Sequence, residues 1–269
     1  MSILYNNYYD SLTKTLYLPK NFNHKLNNIS QETNVIVFSK LSIFNKKVNH
    51  LPQNLTKLIF GFLFNQKVNY LPKNLTHLTF SYYFNKNINN FPKNLTHLIF
   101  DNNFSKNFLR FPKNLTHLTF GVLFNQKINN FPKYLTHLTF GLKFNQKIDN
   151  FPKYLTHLTF GKYFNQKRIN LPKNLTYLTF GSKFNQKIDN FPQSIIHLTF
   201  GKSFNQKIIY LPENLTYLTL GNNFNQKINN LPQNLSCLII DNNFNQKIEH
   251  LPKNLTHLTF GKCSIFNKK

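Results

Sequence analysis

Apolar residues return every 20 positions along almost the whole chain. From Leu51 to Tyr70 they are Leu51, Leu55, Leu58, Phe60, Phe64 and Val68. Leu58 and Phe60 stand two apart, the spacing that turns both side chains to one face of a strand. The others are spaced by four, but Pro52 and its equivalents cut any helix short. The pattern predicts one short strand per period, about residues 57 to 60, and then an irregular return that holds the proline. All six apolar side chains are expected in the core. A Phe-Asn pair marks the period at Phe22, Phe44, Phe64, Phe84, Phe124 and onward to Phe244 and Phe266, with Ser105 following Phe104 instead. The interval is 20 throughout, and 22 at each end. A fixed period of this length marks a solenoid, whose coils bury their apolar faces only by stacking on their neighbours.

The consensus coil reads L/F-P-K-N-L-T-H-L-T-F-G-x-x-F-N-Q-K-I-x-N. Of 12 prolines, 11 hold one coil position, and all 8 glycines hold another, directly after the strand. Ser81, Asp101 and Asp241 take the glycine's place in other coils. A sharp turn is expected there, built on positive φ or on tight backbone approach. The Asn after each Phe is expected to form a buried ladder that satisfies the backbone of neighbouring coils. Arg168 stands where other coils have Ile, so Ile169 is expected to take that place through a local bulge. Phe38–Lys47 and Phe260–Lys269 match closely, which suggests an ancestral 22-residue unit.

The consensus stretch FNQKINNLPKNLTHLTFG resembles the FNIP repeat, found in amoebal slime moulds and in large DNA viruses of amoebae. The resemblance covers about residues 16–269. It departs from the family in its 20-residue coils and in Lys before Ile, where the family often has Pro. The L-x-x-L-x-F element is also similar to leucine-rich repeats. The resemblance implies a β-rich, leucine-rich-repeat-like right-handed coil stack with one parallel sheet and irregular, Pro-containing returns. Residues 1–15 are expected to form an N-terminal cap, and 16–269 a single solenoid of about a dozen repeats. Some family members carry an F-box that recruits ubiquitination substrates. The 15 residues before the first repeat are too few for one, so that role is not carried over.

Composition changes the picture in one respect. There are 30 Phe, no Trp, no Ala and only two Arg, Arg110 and Arg168, among 33 basic residues. That usage suggests an AT-rich genome. The net charge of +25 then has two readings: attraction to an acidic partner, or drift of exposed positions toward Lys. Cys237 and Cys263 fall at different coil positions and are read as free thiols. Neither a signal peptide nor a membrane-helix run is visible, so the expected setting is the cytoplasm, of the host if the source is viral.

Candidate chemistry follows the columns. One outward strand column holds His77, His97, His117, His137 and His157 in succession. It is read as a partner surface; a shared metal would need ligands beyond His that the column lacks. A Thr column beside it suits cross-strand pairing. The pair after each turn varies most, with Phe62-Leu63, Tyr82-Tyr83 and Val122-Leu123 as candidates for protein binding. A row of Lys127, Lys147, Lys167, Lys187, Lys207, Lys227 and Lys247 is the candidate for a polyanion. The Asn-Leu-Thr triplets match a glycosylation sequon but are read as a product of the repeat. The eight acidic residues are scattered over different coils, and no nucleophile–base set, phosphate loop or cofactor motif emerges. The expected function is a non-catalytic protein-interaction scaffold, with nucleic-acid or other polyanion binding as the alternative. No membrane or small-molecule partner is expected.

Overall fold

The structure is a computed structural model that describes residues 3–107 and 110–261. Two compact units divide it, Met1–Leu135 and Thr136–Lys269. Unit 1 opens with a 3-10 helix, Ile3–Tyr8, and continues through β1 (Tyr9–Asp10), β2 (Thr15–Leu18), β3 (Val35–Phe38), β4 (Lys57–Ile59), β5 (His77–Thr79), β6 (His97–Ile99) and β7 (His117–Thr119). β1 runs antiparallel to β2, with Tyr9 opposite Leu16. From β2 to β7 each strand pairs in parallel with the next, so that His77 faces His97 and His97 faces His117.

Unit 2 contains β8 (His137–Thr139), β9 (His157–Thr159), β10 (Tyr177–Thr179), β11 (His197–Thr199), β12 (Tyr217–Leu220), β13 (Cys237–Ile240) and β14 (His257–Phe260). These pair in parallel in chain order, each residue opposite the one 20 positions on. The hydrophobic period thus sets the register: a slip of one residue would turn Leu158 and Phe160 out of the core.

Two β-turns close each coil. The Leu55 N–H donates to the Pro52 carbonyl at 3.2 Å, and the Phe64 N–H donates to the Gly61 carbonyl at 3.1 Å. Both bonds recur along the chain, as at Leu155 to Pro152 (3.2 Å) and Phe164 to Gly161 (3.3 Å). Proline therefore sits where its carbonyl works and its missing N–H is not required.

Four apolar positions are buried in the coils of both units, as at Leu155, Leu158, Phe160 and Phe164. Phe160 and Phe164 stack at 3.7 Å, and Phe164 lies 6.2 Å from Phe184. The other two expected core places are a rim. Leu51 and Val68 are buried, but Phe91, Phe111, Phe131 and Phe151 are only half-buried. Phe151 meets the core edge-on, 6.4 Å from Phe160, which leaves part of its ring in solvent.

No glycine has positive φ among the described residues. Of the two reasons for glycine after the strand, close approach is the operative one. A Cβ on Gly181 would overlap the Gly161 carbonyl, and one on Gly161 would overlap the Gly141 carbonyl. Where Asp replaces glycine, its carboxylate takes up the turn: Asp101 and Asp241 accept the N–H of Asn102 and Asn242 at 2.8 Å. Arg168 adopts φ 53° and is exposed, while Ile169 is half-buried, so the bulge forms where expected.

The Asn ladder is present but half-buried rather than buried. Asn165 Oδ1 accepts the Asn185 N–H at 2.9 Å and Gln186 Nε2 at 3.0 Å. The same bond links Asn45 to Asn65 in unit 1 (2.9 Å) and Asn205 to Asn225 in unit 2 (2.9 Å). A second ladder uses the Asn of the Asn-Leu-Thr triplet. Asn74 Nδ2 donates to the Gln53 carbonyl at 3.1 Å, and Asn174 Nδ2 to the Lys153 carbonyl at 3.1 Å. The apparent sequon is thus a coil-to-coil clamp, whose amide already holds the preceding turn.

Candidate functional site

The outward strand positions put aromatic rings in stacks. In unit 1, His77 and His97 lie 4.1 Å apart at the ring centres, as do His97 and His117. In unit 2 the stack runs His137–His157 at 4.1 Å, His157–Tyr177 at 4.3 Å, Tyr177–His197 at 4.5 Å and His197–Tyr217 at 4.9 Å. A Thr precedes every His of these stacks except His197, which follows Ile196, and it holds the ring. Thr76 Oγ1 and His77 Nδ1 are hydrogen-bonded at 2.9 Å, and Thr156 Oγ1 and His157 Nδ1 likewise. Sequence reasoning missed this pairing, although the recurrence of Thr-His in five successive coils, from Thr76-His77 to Thr156-His157, was its signal. The rings lie face to face at strand spacing and do not converge on a point. Among the described residues no three His, Cys, Asp or Glu gather where a metal could be held.

Packing against neighbours removes water from these rings. Burial lowers the pKa of His77, with a further push from Lys57. Burial also lowers His137 and His197, and His157 is lowered by burial and then by His137 and His197. A depressed imidazole pKa means that the unfolded chain binds protons more readily than the folded one. Their contribution to stability is therefore complete above the ordinary value of 6.5 and declines as pH falls through 6.5 toward the folded values. The urea midpoint is expected to drop between about pH 7.5 and 5.5. His157→Gln should remove part of that drop, and an equal drop in the variant would mean that these rings do not carry it.

The after-turn residues divide. Phe62 lies 4.8 Å from Tyr82 and 5.1 Å from Tyr83, whose rings are 4.9 Å apart. Leu63 is 38% exposed and Tyr83 42%. Val122 and Leu123 are half-buried and stand apart from that cluster, because Asn102-Asn103 occupies the coil between. A backbone ladder holds these turns: the Tyr83 N–H donates to Phe62 O at 3.2 Å and the Leu123 N–H to Asn102 O at 2.8 Å. The cluster is thus presented on fixed backbone.

Lys127, Lys147, Lys167, Lys187, Lys207, Lys227 and Lys247 are all exposed. Two are ion-paired within their own coils, Lys147 with Asp149 at 2.6 Å and Lys187 with Asp189 at 3.2 Å. Asp149 and Asp189 therefore serve surface pairing. Cys237 is a half-buried free thiol, and Cys263 lies outside the described residues, as do Phe266 and all but Phe260 and Gly261 of the C-terminal match to Phe38–Lys47. Among the described residues no helix is long and apolar enough to cross a membrane.

Short parallel strands, turn-closed returns and a Leu/Phe core in each period define a leucine-rich-repeat-like solenoid. The chain belongs to the FNIP-repeat family: the FNIP Repeat model matches residues 44–83, 64–103, 84–121, 108–143, 144–183, 164–203, 184–222, 204–230 and 224–263. Among solved structures it is similar to CroV588, a giant-virus protein described as a novel circular LRR protein, with TM-score 0.83 and 41% identity over 95% of this chain. The chain spans only 44% of CroV588. It is also similar in fold to YopM from Yersinia enterocolitica WA-314, with TM-score 0.51, 20% identity, and coverage of 82% of this chain and 58% of YopM. No curated protein matches the chain.

Proposed function

We propose that the chain is a non-catalytic protein-interaction scaffold of the cytoplasm, with its contact centred on Phe62, Leu63, Tyr82 and Tyr83 and flanked by the His77–His97–His117 stack. The observation that carries this reading is the aromatic cluster, part-exposed on turns whose backbone is already bonded coil to coil. Rigid, exposed aromatic anchors contribute most to binding because little entropy is lost when they are covered. Val122 and Leu123 are secondary contacts in unit 1, and His137 and His157 are candidate contacts of unit 2 by itself.

Affinity capture from a host-type lysate, with nuclease and at low and high salt, tests it. A discrete protein should survive both treatments. Replacing Phe62, Tyr82 and Tyr83 by Ala should weaken its capture by about 10–100-fold, while the melting temperature changes little. Undiminished capture by the variant would sink the reading. The polyanion reading of the Lys row predicts instead a captured nucleic acid that is lost steeply with salt.

A further inference from the structure

The Pro-containing turns of successive coils leave shallow grooves between them, and one groove in unit 1 differs in chemistry from its counterpart in unit 2. The unit 1 groove encloses about 460 Å³ and is lined by Arg110, Phe111 and Lys113 from one coil and by Phe131, Lys133 and Tyr134 from the next. All three cations are exposed. The Phe111 and Phe131 rings are nearly parallel, 6.5 Å apart, and both are half-buried. Tyr134 is 47% exposed, with Lys133 Nζ 5.2 Å from its ring centre. An adjoining groove of about 370 Å³ shares Arg110 and adds Lys93. The sequence has no acidic residue between Asp101 and Asp149.

Five periods further on, in unit 2, the corresponding groove is of the same size, about 470 Å³. Its matching places hold Tyr210, Leu211, Glu213, Leu231, Gln233 and Asn234. The coil is the same, yet no Lys or Arg lines it and one carboxylate does. Drift of codons toward Lys would act on both grooves alike, so drift does not account for the contrast. Nor does drift toward Lys place Arg110, one of two arginines in the chain, at the centre of the basic groove.

We propose that the Arg110–Tyr134 groove binds single-stranded nucleic acid. Cations alternating with exposed aromatic surface suit a ligand that alternates phosphates with flat bases. Arg110 supplies a fork that fits phosphate oxygens and a plane that stacks. Tyr134 and the exposed parts of Phe111 and Phe131 offer apolar area to a base, and a volume of this order accommodates a small planar group. A duplex hides its base faces and would meet only the charges. This assignment does not rest on the scaffold reading. It is also narrower than the Lys-row reading, because it predicts discrimination by strandedness.

The test uses the whole chain and a labelled single strand of about 12 nucleotides, with the matching duplex and dextran sulfate as competitors. Tyr134→Asn is one variant. Arg110→Tyr, Lys113→Glu and Lys133→Gln combined are a second. Each installs the residue that unit 2 carries at the same coil place, so the coil geometry already accommodates it. A third variant changes Lys207, Lys227 and Lys247 of the row to Gln. The single strand is expected to bind about 10-fold more tightly than the duplex, and Tyr134→Asn to weaken it about 10-fold with the salt slope unchanged. The groove charge variant should lower the slope of log K against log salt by about 2. The row variant should change the slope by less than the groove variant does. Equal competition by the duplex or by dextran sulfate overturns the proposal, as does no binding of either strand form. Loss only in the row variant overturns it in favour of a diffuse polyanion surface. None of these results alters protein capture by the Phe62–Tyr83 cluster, so the two readings fail separately.

Discussion

Phe164→Ala is expected to lower stability by about 3–5 kcal/mol. Phe164 is 1% exposed and stacks on Phe160 at 3.7 Å, with Phe144 and Phe184 at 6.1 and 6.2 Å above and below it. Truncation removes one ring from a continuous column, and the neighbouring rings cannot close the gap, because each is held at coil spacing by its own turn and Asn ladder. The loss in a solenoid is shared between the altered coil and its two interfaces. Hydrogen exchange should therefore quicken in the coils of Phe144, Phe164 and Phe184 together. Phe151→Ala is the comparison: its ring is half-buried and meets Phe160 by an edge, so the same truncation should cost less than half as much. Equal urea midpoints for the two variants would show that the Phe164 column is not the core.

The contrast between Phe164 and Phe151 marks a limit of the sequence. Both recur with the period and both are Phe, so periodicity assigns both to the core. Only the path of the return decides that Phe164 points between coils and Phe151 lies along the rim. Strand position and register were legible because Leu58 and Phe60, two apart, repeat at a constant interval; the expected strand, about 57 to 60, is found as Lys57–Ile59. The Phe-Asn ladder was legible as well, because a polar residue held beside a core Phe in almost every coil needs a partner. The Asn-Leu-Thr clamp was not, since the same triplet reads as a sequon and its acceptor is a backbone carbonyl in the preceding coil. The Thr-His hydrogen bonds were hidden for a related reason: the pairing depends on how the ring turns, which strand alternation leaves open. The Arg110–Tyr134 groove was illegible as a unit. Its residues come from different columns in two coils, and columns are what a repeat displays. The substitution of Tyr134 for the usual Asn was the trace it left.

Glycine after the strand tests the stacking argument most directly. Gly181→Ala is expected to destabilise by about 2–3 kcal/mol, toward the upper end for added volume in a packed site. The added carbon would overlap the Gly161 carbonyl, which is backbone and cannot rotate away as a side chain would. Positive φ plays no part, for no described glycine has it. The two causes predict different orders among variants. At a left-handed position Asn is the best-tolerated replacement. At a position of close approach Asn fares no better than Ala, because both carry the offending Cβ. Urea midpoints of Gly181→Ala and Gly181→Asn, measured with an unchanged m-value, separate the two. Asn clearly more stable than Ala would return the argument to backbone conformation. Asp241, which replaces glycine in another coil, shows how the demand can be met differently: there the N–H after β13 donates to Leu220 O at 3.0 Å, and the carboxylate caps its own turn. Asp101 carries a side chain at the same place without that ladder bond and caps its turn in the same way, so the carboxylate's bond to its own turn is what the two replacements share.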